Sequence, residues 1–256
     1  MKKIILSILF CLLCQTAHAD LASGLVGWWK MDEATSGNCT GTSILDASGN
    51  ANTGTCDYTV AGPTWSAGKI GIGDINFNYL DTQYIDVPNV SGLYDGVTSI
   101  SVFAWVNVAS FVVGNGNGFV CKRASSNTGY SWCMENVANA TTFVADIGSS
   151  TGTAEIRTTS TGNLVAGTWE FIGFTFNGST SICQLYLNGS PDNNATLAGY
   201  TSVHAGGADI NIGLLTGNPL YYMNGQIDNV MIWNRVLSAA EVKQLYLYYT
   251  GRSNYY

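Results

Sequence analysis

Short strand-like runs dominate this sequence from residue 25 to residue 233. Apolar residues alternate with polar ones or form brief continuous stretches, and glycine, asparagine or aspartate interrupts each run before a helix could form. The runs occupy residues 25–31, 84–87, 99–108, 118–122, 130–135, 142–147, 154–158, 168–176, 182–187, 210–214 and 226–233. Regular short strands with turn signals are typical of a sandwich, so the sequence predicts an all-β fold with two antiparallel sheets.

The clearest turn signal joins the runs 171–176 and 182–187. The intervening residues 177–180 read Asn-Gly-Ser-Thr, and Asn-Gly is a preferred pair in hairpin turns. We therefore predict an antiparallel hairpin at this point. No proline-rich or low-complexity linker divides the chain, which predicts one domain over residues 20–250 followed by a loose tail at 251–256.

One helix is predicted, and it begins after Ser238. Ser238 and Glu241 have the spacing of a capping box, in which the serine hydroxyl accepts from the Glu241 N–H and the glutamate reaches back to the cap. The apolar residues that follow fall on one side of a helix: Val242, Leu245, Tyr246 and Tyr249. This stripe is expected to pack on the sandwich.

The first nineteen residues have the order of a signal peptide. Lys2 and Lys3 precede an apolar run over residues 4–13, and Ala17-His18-Ala19 precedes Asp20. A membrane anchor is the alternative, but the run is about half of the roughly 20 residues that cross a bilayer. The sequence therefore predicts cleavage after Ala19 and a secreted, periplasmic or cell-surface protein without a membrane span.

Charge and histidine content exclude some classes of function. The formal net charge is −7, and the loss of Lys2 and Lys3 with the leader makes it more negative, which does not suit a nucleic-acid partner. His204 is the single histidine after residue 19, so a site with several histidine ligands is excluded. Charged residues form only 11% of the chain, so amides and hydroxyls must provide most of the polar surface.

Cysteine usage fits an oxidising compartment. Two of the seven cysteines lie in the leader. A three-residue loop at 126–128 would place Cys121 opposite Cys133 on antiparallel strands, within disulfide range. Cys39 and Cys56 bracket a turn-rich segment and form the natural second pair, which leaves Cys183 as a buried free thiol. The alternative is that all five are reduced core residues.

Five ordered blocks of this sequence resemble laminin-G-like domains of the concanavalin A-like lectin/glucanase superfamily. The resemblance covers residues 24–249 and is carried by these five blocks, residues 24–33, 46–55, 99–107, 185–189 and 225–238, together with Thr168-Trp169 before the hairpin. It implies a jelly roll of one flat or convex sheet and one concave sheet. Ligands are then expected at the concave face or in the loops at its rim.

The resemblance also implies a structural calcium ion where the N-terminal loop meets the C-terminal Ile-Asp segment. Asp46, Asn50 and Asp228 supply the carboxylate and amide oxygens that calcium prefers, and Gly49 allows the loop to fold tightly. The alternative is that Asp46 and Asn50 form an Asx turn and that Asp228 caps a backbone N–H.

No catalytic constellation is evident in the sequence. Glycoside hydrolysis needs two carboxyl groups on either side of the scissile bond. The chain has no Glu-x-Asp-x-x-Glu run, and Glu135, Glu155 and Glu170 lie in separate strands. A protein without enzymatic activity is therefore predicted.

An aromatic platform flanked by polar side chains is what a sugar-binding site requires. Side chains alternate along a strand, so Trp132 and Tyr130 point away from the core if Cys133 points toward it. Lys122 and Arg123 then lie opposite the two rings and can donate hydrogen bonds to a ligand that stacks on them. The candidate ligand-binding residues are Trp132, Tyr130, Arg123, Lys122, Tyr79 and Tyr222. The alternative is a strand that packs its second face against a loop.

The sequence as a whole predicts an exported, non-catalytic module that binds a glycan. The alternatives are a protein-protein adhesion module, whose partner is an extracellular or surface protein, and a structural accessory domain of a secreted or surface assembly. An adhesion module would present a flatter apolar patch than a glycan reader.

Overall fold

A computed structural model describes residues 20–251, apart from 91–93, 95, 112–113, 125–128, 139, 150, 153–154 and 217–220. The predicted signal peptide at 1–19, the predicted loop at 126–128 and the tail beyond residue 251 lie outside the described residues.

The strands, in chain order, are β1 (Leu25–Trp29), β2 (Gly37–Asn38), β3 (Ser43–Ile44), β4 (Gly54–Asp57), β5 (Thr64–Ala67), β6 (Gly73–Phe77), β7 (Tyr84–Val87), β8 (Ser99–Val108), β9 (Asn117–Arg123), β10 (Tyr130–Asn136), β11 (Phe143–Gly148), β12 (Glu155–Thr159), β13 (Glu170–Asn177), β14 (Ile182–Leu187), β15 (Ser190–Thr196), β16 (Ile210–Ile212), β17 (Leu214–Leu215), β18 (Tyr221–Tyr222) and β19 (Gly225–Trp233). A 3₁₀ helix spans Tyr79–Asp81, and helix α1 spans Ala239–Tyr249.

Two antiparallel sheets form a sandwich, which confirms the predicted fold class. The first sheet has the order β15-β14-β13-β8-β19-β6-β5-β2, and β1 also pairs with β19. The second sheet has the order β12-β11-β10-β9-β16-β7-β4-β3, and β17 and β18 form a separate ribbon. In both sheets, strands that are far apart in the sequence pair side by side, as a jelly roll requires.

The core lies between the inner faces of the two sheets. Ile172 and Phe174 of the first sheet and Val120 and Met134 of the second are fully buried there. Successive side chains of a strand point to opposite faces, so alternate residues of each strand reach this layer. Burial of each large apolar side chain contributes roughly 1.5–3 kcal/mol.

The predicted hairpin joins β13 to β14. Phe176 pairs with Cys183 and Asn177 pairs with Ile182, so the turn lies where Asn-Gly indicated it. A Cβ at Gly178 would collide with the Thr201 carbonyl, which explains why glycine is needed there. This prediction is confirmed.

Helix α1 covers the outer face of the first sheet. Its capping box is present, with Glu241 N–H donating to Ser238 Oγ and Ser238 N–H donating to the Glu241 carboxylate. Val242 and Leu245 are buried against this face, and the Tyr246 ring lies 5.9 Å from that of Trp105. Among the described residues, no helix is long and apolar enough to span a membrane.

Both predicted disulfides are present. Cys39 pairs with Cys56, and Cys121 pairs with Cys133 directly across β9 and β10, where their Cα atoms are 4.0 Å apart. Cys183 is a free thiol, fully buried in the core as predicted, and this burial raises its pKa.

Candidate functional site

Cross-strand register places one side chain from each of seven strands, five of them polar, in one row on the outer face of the second sheet. The row runs across β4, β7, β16, β9, β10, β11 and β12 and comprises Thr55, Asp86, Asn211, Cys121, Cys133, Asp146 and Arg157. The Cys121–Cys133 disulfide occupies the middle of the row, with carboxylates on both sides. The outer face is therefore polar around a small apolar centre.

The β17–β18 ribbon packs on this apolar centre. Leu215 and Tyr221 form a buried cluster with Cys121 and Cys133. The ribbon approaches β9 closely because Gly118 has no side chain: a Cβ there would collide with the Leu215 N–H. The ribbon therefore stands on the row and leaves a cavity toward each end of it.

Two cavities adjoin the ribbon, and together they are called the groove here. The Glu135 cavity has a volume of about 140 Å³ and is lined by Arg123, Glu135, Glu155, Arg157, Leu215 and Tyr221, among others. The Asp86 cavity has a volume of about 300 Å³ and is lined by Tyr84, Asp86, Arg123, Asp209, Asn211 and Leu214, among others. Arg123 lines both.

An ion cluster forms the wall of the Glu135 cavity. Arg157 Nη2 lies 2.6 Å from Glu135 Oε1 and 2.6 Å from Asp146 Oδ2, and Arg157 Nε donates to Asp146 Oδ1 at 2.8 Å. Both carboxylate side chains are only 1% exposed, whereas that of Arg157 is 39% exposed. Arg157 thus closes the cluster on the solvent side.

Glu135 is the most perturbed acid of this cluster. Burial raises the pKa of Glu135 to about 8, the nearby Asp146 charge adds to the rise, and Arg157 opposes it. Glu135 Oε2 accepts no hydrogen bond from the described residues. With this raised pKa Glu135 keeps its proton at neutral pH, and the protonated carboxyl can donate to the neighbouring Asp146 carboxylate.

Arg123 connects the two cavities. Its guanidinium carbon lies 4.0 Å from the Tyr130 ring centroid, and Nη1 lies 3.4 Å from Glu155 Oε2. Arg123 Nε is buried and donates to none of the described residues. A guanidinium stacked on a ring keeps a fixed orientation, so Arg123 is a rigid part of the wall of both cavities.

The Asp86 cavity is also acidic. Asn211 Nδ2 donates to Asp86 Oδ1 at 3.0 Å, and the Tyr84 hydroxyl donates to Asp57 Oδ2 at 2.7 Å. Burial raises the pKa of Asp86 to about 6, and the charges of Asp209 and Asp57 add to the rise. These carboxylates therefore repel one another across a half-buried cavity.

The predicted ligand-binding residues divide between the two faces of the second sheet. Arg123 lines both cavities of the groove, and the Tyr130 ring stacks against its guanidinium. Trp132 does not point outward: it is 2% exposed in the core, and its Nε1–H donates to the Tyr94 carbonyl. Lys122 shares that inner face and is fully buried, with Nζ bonded to Asn89 Oδ1 at 2.6 Å.

Tyr79 and Tyr222 are half-buried near the Asp86 cavity but outside its lining. Tyr79 belongs to the 3₁₀ helix that contacts β18. Tyr222 lies in β18, where burial raises its pKa and the Asp57 charge adds to the rise. Both residues stay candidates for an extended edge of the groove.

Both oxygens of the Asp46 carboxylate are occupied by N–H donors. Oδ1 accepts from the backbone of Trp28 at 2.9 Å and of Ser48 at 2.8 Å. Oδ2 accepts from the backbone and the side-chain amide of Asn52, at 3.0 Å and 2.8 Å. The bond to Ser48 is an Asx turn, so Asp46 has the role that the alternative to calcium described.

The other two residues proposed for calcium also make hydrogen bonds within the protein. Asn50 Nδ2 donates to the Val26 carbonyl at 3.2 Å. Asp228 is fully buried and accepts from the Ile70 N–H and from the Asn229 amide, each at 2.8 Å. Within the described part of the chain, no three His, Cys, Asp or Glu side chains are arranged for a metal. The proposed ligand set does not fit calcium.

The sequence argument missed the acids of the groove. Glu135 and Glu155 are in separate strands but not isolated, because the β10–β11–β12 register places both beside Asp146 and Arg157. Glu170 lies apart from this cluster, is 6% exposed and accepts from the Val165 N–H. The available signal was the pair of charged residues at alternate positions of β12, Glu155 and Arg157, which places both on one face of the sheet.

Several solved structures with the same fold are binding domains. The binding domain of Paraclostridial Mosquitocidal Protein 1 matches with a TM-score of 0.67 and 16% identity, covering 89% of this chain and 53% of that chain. Domain 4 of AbnA, a GH43 extracellular arabinanase from Geobacillus stearothermophilus in complex with arabinotriose, matches with a TM-score of 0.65 and 17% identity, covering 86% and 97%. The binding domain of Botulinum neurotoxin DC, in complex with rat synaptotagmin II, matches with a TM-score of 0.65 and 13% identity, covering 89% and 52%.

These matches differ in extent. The chain spans about half the length of the toxin binding domains but nearly all of the arabinanase domain. No curated protein matches this sequence. A family profile of the laminin-G type, described as the concanavalin A-like lectin/glucanases superfamily, matches residues 80–243. Because that match spans well over half of the chain and agrees with the two-sheet fold, this protein belongs to the concanavalin A-like lectin/glucanases superfamily.

Proposed function

We propose that this protein is a non-catalytic carbohydrate-binding module that takes its ligand in the groove. The observation that carries the proposal is Arg123, whose guanidinium is stacked on the Tyr130 ring and which lines both cavities. Protein sites for small polar ligands combine apolar walls with a few convergent polar groups. The groove has both.

Each part of the groove suits a part of a sugar ring. Leu214 and Leu215 offer apolar surface to the CH groups of a ring, and Tyr221 offers an aromatic one. Asp86 and Glu155 can accept hydrogen bonds from hydroxyl groups. The Arg123 N–H can donate to a hydroxyl or ring oxygen, so donors and acceptors are both available.

The fold and the disulfides support this assignment. AbnA domain 4 holds an oligosaccharide, and another solved structure of the Botulinum neurotoxin DC binding domain is a complex with SialylT. Two disulfides are typical of a protein that works in an oxidising compartment, where extracellular glycans occur. These observations favour a secreted or surface-exposed glycan reader.

Calorimetric titration after a screen of oligosaccharides tests the proposal. We expect one ligand class to bind, and Arg123→Gln to weaken it about 10- to 100-fold, because a hydrogen bond from a charged group contributes roughly 1.5–3 kcal/mol. Lys243→Ala is the matched control: it also removes one positive charge, but from the exposed side of helix α1. Equal effects of both variants would place the ligand outside the groove.

The absence of catalysis is tested on the same ligand. After prolonged incubation with the protein, the oligosaccharide should keep its length and release no new reducing ends. Cleavage that is abolished by Glu135→Gln would contradict the non-catalytic assignment. Failure of every oligosaccharide to bind, combined with binding of a surface protein, would replace the proposal by an adhesion function.

A further inference from the structure

The β17–β18 ribbon separates the two cavities of the groove. Leu215 and Tyr221 are only 3% and 9% exposed, because they pack on the Cys121–Cys133 disulfide in the middle of the row. Protein atoms therefore fill the space between the ribbon and the sheet at this point. A polymer that lies along the row cannot pass beneath the ribbon from one cavity to the other.

Hydrogen bonds fix the ribbon in this position. The Met223 N–H donates to the Gly213 carbonyl at 2.8 Å and joins the two strands of the ribbon at their base. The Thr216 hydroxyl, directly after β17, donates to the Arg123 carbonyl in β9. Since this end of β17 is bonded to β9 and β18 pairs with β17, the separation of the two cavities is part of the fold.

The two cavities differ in the size of the ligand that they admit. A hexose displaces about six water molecules, or roughly 180 Å³ at ~30 Å³ for each water. The Asp86 cavity, at about 300 Å³, holds one such ring with room for its hydroxyl groups, whereas the Glu135 cavity, at about 140 Å³, is too small. One sugar residue in the Asp86 cavity is therefore the largest unit that the groove encloses.

Strand register places a mixed set of side chains around the Asp86 cavity. Tyr84 and Asp86 lie at alternate positions of β7, Asn211 of β16 faces Asp86, and Arg123 ends β9. Tyr84, Asp86 and Arg123 are each half-buried, so a ligand can reach them from solvent. An aromatic ring beside carboxylate, amide and guanidinium groups offers contact to the CH groups of a sugar and hydrogen bonds to its hydroxyl groups.

The Asp86 cavity is closed toward the ribbon and open toward the edge of the sheet. Leu214 and Thr216 line it on the ribbon side. On the other side the sheet continues through β7 to β4 and β3, and the β4 residues Thr55 and Asp57 are exposed. A chain attached to the enclosed sugar can therefore leave across β4 but not past the ribbon.

We propose, on the basis of the function proposed above, that the groove recognises terminal sugar residues, at chain ends or branches, and not internal segments of a linear glycan. The terminal ring occupies the Asp86 cavity beside Tyr84, and the rest of the glycan leaves across β4. An internal residue is linked to a neighbour on each side, and one of these neighbours would collide with the ribbon. Affinity should therefore depend on the identity of the last sugar and hardly on the length of the chain.

Monosaccharides, disaccharides and linear hexasaccharides of D-glucose, D-mannose, D-xylose and L-arabinose test the inference by calorimetric titration at pH ~8. Asp86, whose pKa is about 6, is ionised at this pH. In a series that binds, the hexasaccharide should bind at most about threefold more tightly than the disaccharide, because the added residues lie outside the cavity. A ligand that follows a groove gains contacts with each residue, so a larger gain would overturn the inference.

A long linear polymer of the same sugar gives an independent measurement. At equal mass it carries far fewer ends than the hexasaccharide, so it should displace a bound disaccharide much less effectively. Equal displacement by both would show that internal residues bind and would overturn the inference.

Substitutions that hardly change side-chain size locate the bound ring. Asp86→Asn should weaken the disaccharide and the hexasaccharide by the same factor, about tenfold, as the loss of one hydrogen bond to a charged group predicts. Asp192→Asn, in β15 of the first sheet, is the matched control and should change neither affinity. A larger effect of Glu155→Gln than of Asp86→Asn would place the ring in the Glu135 cavity and overturn the inference. The melting temperature shows whether each variant folds, and Tyr84→Leu replaces Asp86→Asn if the latter unfolds.

The outcomes separate this inference from the proposed function. A hexasaccharide that binds more than about threefold more tightly than the disaccharide, and that loses affinity in Arg123→Gln, overturns terminal recognition and keeps the carbohydrate-binding function. Binding of none of the sugars refutes the proposed function, and terminal recognition with it.

Discussion

Glu135 makes the stability of the fold depend on pH, and Glu135→Gln should remove that dependence. Burial, followed by the Asp146 charge, raises the pKa of Glu135 to about 8 in the folded protein, although Arg157 opposes the rise. In the unfolded chain a glutamate titrates near ~4.3. Because the folded pKa is the higher one, the contribution of Glu135 is fully present below pH ~4.3 and is lost as the pH rises through about 8.

The size of this effect follows from the two pKa values. One pKa unit corresponds to about 1.36 kcal/mol, so the upper bound is roughly 5 kcal/mol between pH ~4.3 and pH ~8. Arg157 is 39% exposed and admits water to the cluster, which screens the charges. We therefore expect roughly 2–3 kcal/mol. A glutamine at position 135 can still accept from Arg157 and can donate to Asp146, so the variant keeps the cluster and stays neutral at every pH.

Urea unfolding of both proteins, at half-unit steps from pH 4.5 to pH 9, measures the effect. The free energy of unfolding of Glu135→Gln minus that of the wild type should rise steadily up to pH ~8 and then level off. Glu241→Gln is the control. Burial opposes ionisation of Glu241, but hydrogen bonds from Arg235 and Ser238 prevail and lower its pKa. Its contribution is therefore lost only at acid pH, and the difference from wild type should stay constant over this range. Parallel curves for Glu135→Gln and the wild type would refute the argument.

Three further predictions concern the cysteines, the core and the metal. The chain from residue 20 onward should contain one thiol, that of Cys183, which reacts with a thiol reagent in denaturant but not in the folded protein; more than one in denaturant would exclude the disulfide pairing. Trp132→Phe should reduce the free energy of unfolding by roughly 1–3 kcal/mol, because the hydrogen bond to the Tyr94 carbonyl and part of the core packing are lost. Ligand affinity should not change. A loss of affinity without a loss of stability would instead show that Trp132 contacts the ligand. The melting temperature should not respond to EDTA, because N–H donors occupy both oxygens of Asp46; a drop of several degrees would restore the calcium site.

The framework of the fold could be predicted because its signals are local. The Asn177-Gly178 turn, the Ser238–Glu241 capping box and the facing pair Cys121 and Cys133 each depend on residues that are close in sequence. The alternation of apolar and polar residues along the strands predicted the remaining part of the framework. The structure confirms these elements.

The groove was only partly predictable, because alternation shows which residues share a face but not which face is outside. In β10 both faces are buried: Trp132 and Met134 face the core, while Cys133 lies under the β17–β18 ribbon. Trp132 and Cys133 therefore give no contrast in polarity, and the larger side chain was assigned to the wrong face. The meeting of Glu135 with Arg157 depends on the register of three consecutive strands, which no local signal fixes.

The two ends of the described chain lie behind the sandwich, away from the groove. Leu21 and Tyr249 line the same apolar cavity on the outer face of the first sheet, and Arg235 Nη2 donates to the Asp20 carbonyl at 3.1 Å. The groove opens on the outer face of the second sheet. A neighbouring domain attached at either end would therefore leave the groove unobstructed. If the groove binds a glycan as proposed, the protein could therefore meet an extended polymer with this face while a neighbouring domain stays on the far side.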